Sequence, residues 1–359
     1  MSEITYDIPG IVVSASRDKT IPAFTGGDPD GLTLIISHKR TGEYFVPPVL
    51  DGAKWETQRK GAPGKMTFSI TRDEIQQIEL GDMVDAIWQG KAFFKGYIFE
   101  MKRSKDQTWS ITAYDQIRYL KNKDTFSYEG KSASQVIKEL AEDFELQVGE
   151  LADTGFVIEK RREQNTTILD MMQNALDITM IHTSKMYVLY DDCGKLMLKD
   201  LEQMQTGILV DSETAQDYDY SISIDKNTYN LIKLTVDDRE NGPKVYYAPA
   251  NQQDYANSET RKQWGVLQYF ESINPKYQSP QDLANRYLEY YNRPMRTFSI
   301  KGCAGDVAVR GGVMLYVDVH LGDPEATEGK LIIAERVSHT FSNRQDVMDL
   351  EVRGDKVMT

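Results

Sequence analysis

The side chains able to do chemistry are few in this chain and lie far apart. Its histidines are His38, His182, His320 and His339. His320 and His339 fall on strand-like runs, and no carboxylate–His-x-His spacing appears, so no metal site is expected. The four read as satisfied surface or edge histidines. The acidic pairs Asp191-Asp192 and Asp237-Asp238 bring carboxylates together in sequence. Glycan hydrolysis needs two carboxyl groups flanking one bond, whereas neighbours on a turn point apart. These pairs therefore read as solvated turns, although distant carboxylates joined by folding leave a glycosidase reading open. Cys193 and Cys303 form no CxxC and no zinc spacing, and read as reduced, structural residues. No Gly-x-Ser-x-Gly elbow, Walker loop, dinucleotide fingerprint or His-Glu-x-x-His occurs. The expectation is no catalytic residue, no cofactor, no metal and no enzyme.

One stretch stands out for a different reason. Trp55-Glu-Thr-Gln-Arg-Lys-Gly-Ala-Pro-Gly-Lys65 is a basic turn between an aromatic residue and the alternating run Met66-Thr-Phe-Ser-Ile70. Gly61 and Pro63-Gly64 carry the turn, proline presetting one dihedral and glycine accepting the positive φ of the next. Met66, Phe68 and Ile70 share one strand face. Basic side chains in an acidic chain suit a subunit contact, which makes Trp55, Arg59, Lys60 and Lys65 candidate interface residues. An exposed solubilising turn is the equal alternative. Of the 20 tyrosines, many gather in the last third, and Tyr246 and Tyr247 join the interface candidates. Strand and helix packing is the plainer account of most of them.

The elements that must position these residues change period twice. Up to about residue 124, short apolar runs such as Leu32 to Ser37, Met83 to Trp88, Phe93 to Glu100 and Thr108 to Tyr114 alternate with turn clusters, which predicts a barrel or sandwich. Ser132-Ala-Ser-Gln135 then matches a capping box, followed by the helical stripe Val136, Ile137, Leu140, Ala141 and Phe144. A second helix is expected from Asn165-Thr166, with Ile168, Leu169, Met172, Leu176 and Met180 on its stripe. A hairpin follows, Met186 to Tyr190 and Leu196 to Leu198 around Asp191-Asp-Cys-Gly194. From Tyr218 strands dominate again, interrupted by one helix that Ser279-Pro280 starts and Pro294 stops. The two β-rich regions repeat a similar order of features with poor residue identity, so duplication and convergent patterning stand level.

Composition bounds the rest. The 359 residues suit two or three domains, and 40% hydrophobic with 27% charged residues fits a folded chain. No run approaches the ~18 apolar residues of a membrane helix, and no export signal is visible, so no membrane binding is expected. A net charge of −13 argues against gripping nucleic acid through its phosphates. Solubility is the plain reading of that charge, and a surface that lets DNA slide past is compatible with it.

The 55–65 stretch also carries a resemblance. With Gly81-Asp-Met-Val84, Phe94-Lys-Gly-Tyr-Ile-Phe99, Ala113-Tyr-Asp-Gln-Ile-Arg-Tyr-Leu120, Val317-Asp-Val-His-Leu-Gly-Asp323 and Val347-Met-Asp-Leu350 in order, the chain resembles the XkdQ/YqbQ-like hub proteins of prophages and contractile phage tails. The resemblance implies a mainly β fold with an α+β insertion: two tail-tube-like β-barrels plus a helix-and-hairpin module. The regions expected are 1–125 for the first barrel, 126–215 for the αβ module, and 216–359 for the second barrel with its helix near 280–293. It further implies a homotrimeric baseplate hub joining a six-fold tail tube to a three-fold central spike. Partners would be the tail tube protein, the spike protein and other baseplate proteins, with DNA only as passing cargo. Its place would be a virion or tail-like particle assembled in the host bacterial cytoplasm. The competing reading is a β-protein that binds or hydrolyses cell-wall glycan.

Overall fold

The computed structural model describes residues 4–8, 11–15, 27–71, 78–105, 108–211, 214–225, 227–236, 242–273, 279–318 and 330–353. His320, the pair Asp237-Asp238, and residues 319–323 of the C-terminal motif lie outside these. Two compact units emerge, Met1–Asp219 with Ser299–Gly354, and Tyr220–Phe298 with Asp355–Thr359. These units are discontinuous, unlike the three consecutive regions read from the sequence.

The first unit opens with the antiparallel pair β1 (Ile4–Ile8) and β2 (Ile11–Ala15). Next come β3 (Leu32–Ser37), β4 (Tyr44–Phe45), β5 (Ala53–Gln58), β6 (Lys65–Ile70), β7 (Met83–Trp88), β8 (Lys91–Arg103) and β9 (Trp109–Tyr114). A short 3-10 turn leads to β10 (Lys123–Ser132), α1 (Ala133–Asp143), β11 (Val148–Leu151), β12 (Val157–Thr167) and α2 (Ile168–Thr183). β13 (Tyr187–Asp192), β14 (Lys195–Asp200) and β15 (Gln205–Asp211) end this run, and the boundary between the units falls within β16 (Asp217–Ser223). The second unit holds β17 (Leu231–Val236), β18 (Lys244–Ala248), α3 (Gln252–Asn257), α4 (Glu259–Trp264), β19 (Gln268–Ile273) and α5 (Pro280–Tyr291). The chain closes with β20 (Met295–Ala304), β21 (Met314–Asp318), β22 (Lys330–Ser342) and β23 (Gln345–Arg353).

The fold is mainly β with a few helices, as expected. One sheet runs β16-β20-β23-β22-β5-β6-β9-β8-β7-β3-β4, with β21 on β22 and β15 on β21. Among the described residues this path has two ends and does not return on itself. Its central seam is β22 against β5, antiparallel, with His339 opposite Trp55 and Val337 opposite Thr57. Strands from both ends of the sequence therefore share one ladder. The alternation in β6 works as read: Met66, Phe68 and Ile70 are buried, in a core with Leu34, Trp55 and Phe94.

The helix-and-hairpin region has a separate core of α1 and α2 side chains with Leu189, Leu196 and Leu198 from the hairpin. Ser132 and Gln135 form the full capping box. α2 starts later than read, because β12 continues to Thr167, whose hydroxyl accepts from the Asp170 amide. The β13–β14 turn is only Cys193-Gly194, both with positive φ (46° and 88°), a two-residue turn whose twist suits a hairpin. In the second unit β17 is flanked by β18 and β19, and α5 packs on β17 and β18. Tyr229, Tyr269, Tyr287, Tyr290 and Tyr291 form one ring cluster there. The Tyr269 and Tyr287 hydroxyls both donate to Glu271 Oε2, at 3.0 and 3.2 Å. Packing therefore accounts for much of the tyrosine density.

Candidate functional site: a buried polar joint

Residues 305–312 are a short loop between β20 and β21, and four parts of the first unit meet on it. Toward β5, the Gly311 amide donates to Thr57 Oγ1 at 2.8 Å. A Cβ on Gly311 would lie 2.4–2.7 Å from backbone atoms of Gln58 and Arg59, so the approach requires glycine. Toward the β13–β14 hairpin, Arg310 Nη1 donates to the Asp191 carbonyl at 2.7 Å, and its guanidinium lies over the Tyr190 ring at 4.4 Å. Toward β22, the Gly312 amide donates to the Ala334 carbonyl at 2.8 Å.

The fourth part is β23, reached through Asp346 and through His339 of β22, a fully buried residue at 0% exposure. This corrects the reading of it as a surface or edge histidine. Its Nδ1 lies 2.9 and 3.0 Å from the two Asp346 carboxylate oxygens, and its Nε2 lies 2.8 Å from the Val309 carbonyl. Both ring nitrogens thus face acceptors. Trp55 stacks on this ring at 5.1 Å and 28°, and the Gly305 amide closes the loop onto the Asp346 carbonyl.

Two buried carboxylates complete the joint. Asp115 accepts from the Gly64 amide at 2.8 Å and from the Ile117 amide at 3.0 Å. Gly64 is needed for that approach and not for a positive φ, since a Cβ would stand 2.6 Å from Asp115 Oδ2; the positive φ of this turn falls at Gly61. Asp191 accepts from Gln116 Nε2 and the Gly194 amide, both at 2.8 Å. Its neighbour Asp192 is exposed, so this pair divides between core and solvent. A cavity of ≈ 380 Å³ beside the joint is lined by Trp55, Phe93, Tyr190, Met204 and Arg310, among others.

Burial pushes the Asp191 carboxyl up from 3.8 to about 6, against its hydrogen bonds and Arg310. Burial and then the Asp191 charge hold Asp115 well above the usual carboxylate range, against the Gly64 amide and Arg310. An acid raised in the folded state contributes stability in full below its ordinary value and loses it as pH rises through the folded value. The Asp191 contribution is therefore lost between 3.8 and about 6. Urea midpoints followed from about pH 4 to about pH 7 should fall more steeply in the wild type than in Asp191→Asn. Parallel curves would refute the assignment.

The candidate interface residues are placed as follows. Trp55 is 2% exposed and Arg59 7%, Arg59 Nε being paired with Glu335 Oε2 at 2.9 Å. Both belong to the interior of the chain's own fold and offer little surface to a neighbour. Lys60 reaches Asp177 at 3.5 Å and Lys65 reaches Glu56 at 2.7 Å, and both stay accessible. Tyr246 stands opposite the buried Leu234, while Tyr247 is 39% exposed with Lys233 Nζ 5.9 Å from its ring. The joint itself was missed by sequence reasoning. Gly305, Gly311 and Gly312, clustered within one loop and flanking Arg310, were the available signal.

The arrangement is suited to holding elements in place. Its carboxylates and imidazole are spent on amides, on Gln116 and on one another. Among the described residues no group of three His, Cys, Asp or Glu side chains could hold a metal ion. No helix of the described residues is long and apolar enough to cross a membrane.

A family model described as YQBQ-like matches residues 53–353. The protein YqbQ of Bacillus subtilis strain 168 is 28% identical over 319 residues, spanning 85% of this chain and 92% of its own length. The phage-like element PBSX protein XkdQ of the same strain is 26% identical over 318 residues with the same coverage. Among solved structures, the 43 kDa tail protein of prophage MuSo2 from Shewanella oneidensis shares the fold, with a TM-score of 0.63 at 12% identity, covering 92% of this chain and all of that one.

Proposed function

We propose that this chain, which belongs to the YQBQ-like family and is by family and fold a phage baseplate-type protein, is the hub of its baseplate. In this reading it is a homotrimer that joins a six-fold tail tube to a three-fold central spike. The observation that carries the reading is the seam of β5 and β22, which makes one chain supply two strand groups, β5–β9 and β20–β23, to a single sheet. Three copies of a two-part chain offer six related positions to a six-fold ring and three to a spike. The buried joint supports the same role, since an adaptor under load needs its parts held at one angle.

The tail tube, the spike and other baseplate proteins are the partners in this reading, and the virion or tail-like particle is its place. If DNA passes through the ring, the acidic excess belongs on the channel wall, where like charge prevents sticking. Symmetry analysis of an isolated particle by electron microscopy tests the proposal. Three copies at the hub, each supplying its two strand groups, are expected; six copies would end it. A structural hub also predicts that the purified chain releases no fragments from peptidoglycan. Dose-dependent release would revive the glycan-hydrolysing alternative.

A further inference from the structure

We propose that the paired strands β16 and β20 form a hinge stem on which the second unit turns as one body. The inference stands apart from the hub reading. Among the described residues the chain enters the second unit between Asp219 and Tyr220, and returns between Phe298 and Ser299. Both passages fall inside strands, β16 and β20, and these strands are neighbours in one ladder. The two covalent links therefore run side by side. Rotation about a line through them stretches neither link, whereas links set far apart would resist it. A few backbone positions are then enough to absorb the change of angle.

The stem has the features that such a motion needs. β16 ends the sheet path, with β20 as its one ladder neighbour among the described residues. Its residues are exposed except for the half-buried Tyr220, so burial does little to stiffen it from either face. β20 carries Gly302 just past the return, at a φ of 69° that other side chains rarely adopt. Its amide donates to Asp349 Oδ1 at 2.9 Å. A glycine of this kind within a strand marks a local bend. Next to it Lys301 Nζ reaches Asp219 Oδ2 at 2.6 Å, tying the two strands together beside the boundary. Both side chains are exposed, and an exposed ion pair is a weak clasp that yields to modest force.

The second unit has what it needs to keep its shape while it turns. β17 lies between β18 and β19, and α5 packs on β17 and β18. Ile232, Leu234, Ala248 and Ala284 of these elements are fully buried. This packing joins residues of one unit to one another, so it holds at any angle of the stem.

Electron-spin distance measurements on the full chain test this, with labelled chains diluted among unlabelled ones. In a Cys193→Ser background, with Cys303 buried, labels go on cysteines placed at the exposed positions Lys102, Lys138 and Glu259. The first two lie in the first unit and Glu259 lies in the second. The Lys138–Glu259 distance distribution should be at least about twice as wide as the Lys102–Lys138 one. Lys301→Ala should widen it further, and Gly302→Val should shift its mean, with the Lys102–Lys138 distances unchanged in both. Those unchanged distances also show that the variants are folded. Lys301→Ala, at an exposed site, carries the test if the strained Gly302→Val chain does not fold. Equal widths in the wild type would overturn the hinge. A wide distribution that the stem variants leave as it was would overturn the role given to β16 and β20.

Discussion

Replacing His339 with leucine is expected to cost about 2–6 kcal/mol of folding stability, since each of the two buried acceptors left without its partner costs about 1–3 kcal/mol. The side chain is fully buried, and its loss leaves the Asp346 carboxylate without the imidazole and the Val309 carbonyl without its donor. Trp55 and Phe341 also lose the ring stacked on them. Leucine has similar bulk, so the loss is mainly electrostatic and not a cavity effect. Adding Asp346→Leu to that variant should recover part of the loss, because no buried carboxylate then remains unpaired. Urea unfolding of the wild type, the single and the double variant decides it. A single-variant loss below about 1 kcal/mol, the size of an ordinary substitution, would show that the pair is not what holds the loop. A second substitution that deepens the loss would contradict the electrostatic account.

The second large effect is expected at Gly311. A methyl group there meets the Gln58 carbonyl carbon at 2.4 Å and the Arg59 nitrogen at 2.6 Å, both backbone atoms with no side-chain freedom to give way. Either β5 or the 305–312 loop must move, and the Gly311 amide bond to Thr57 goes with it. Overpacking of this kind costs about 1–3 kcal/mol, and the lost buried hydrogen bond adds about 1–3 kcal/mol. Gly207→Ala is the control, since a Cβ there meets nothing within 4 Å. The expected result is a large drop in the thermal midpoint for Gly311→Ala and almost none for Gly207→Ala. Equal midpoints would mean that the loop does not bear on β5 as described.

Much of the architecture is local and was legible in the sequence. The period-two run Met66 to Ile70, the Ser132–Gln135 box and the Ser279-Pro280 helix start depend on interactions within a few residues, so the chain itself encodes them. The β10–β12 ribbon was not legible. β12 reads Val-Ile-Glu-Lys-Arg-Arg-Glu-Gln-Asn-Thr-Thr, and its buried positions include only Ile158 and Glu163, so its alternation carries almost no hydrophobic signal. The parallel partners β11–β14 and β15–β21 were hidden for another reason, since they join residues far apart and no turn marks them.

The sequence by itself determined that the protein is mainly β with a helix-and-hairpin insertion, that it is acidic, and to which family its ordered motifs point. Tertiary structure alone decided that β22 seals against β5. It also turned Trp55 and Arg59 from candidate contacts into interior residues and made His339 the centre of a joint. The physical reason is range. Caps, turns and strand faces are set by neighbours in the chain, whereas the buried arginine and aspartates are held by partners distant in sequence, with 276 residues between Arg59 and Glu335, 75 between Gln116 and Asp191 and 51 between Gly64 and Asp115. Thr57 and Gly311 are 254 residues apart, and nothing in the spacing of one announces the other.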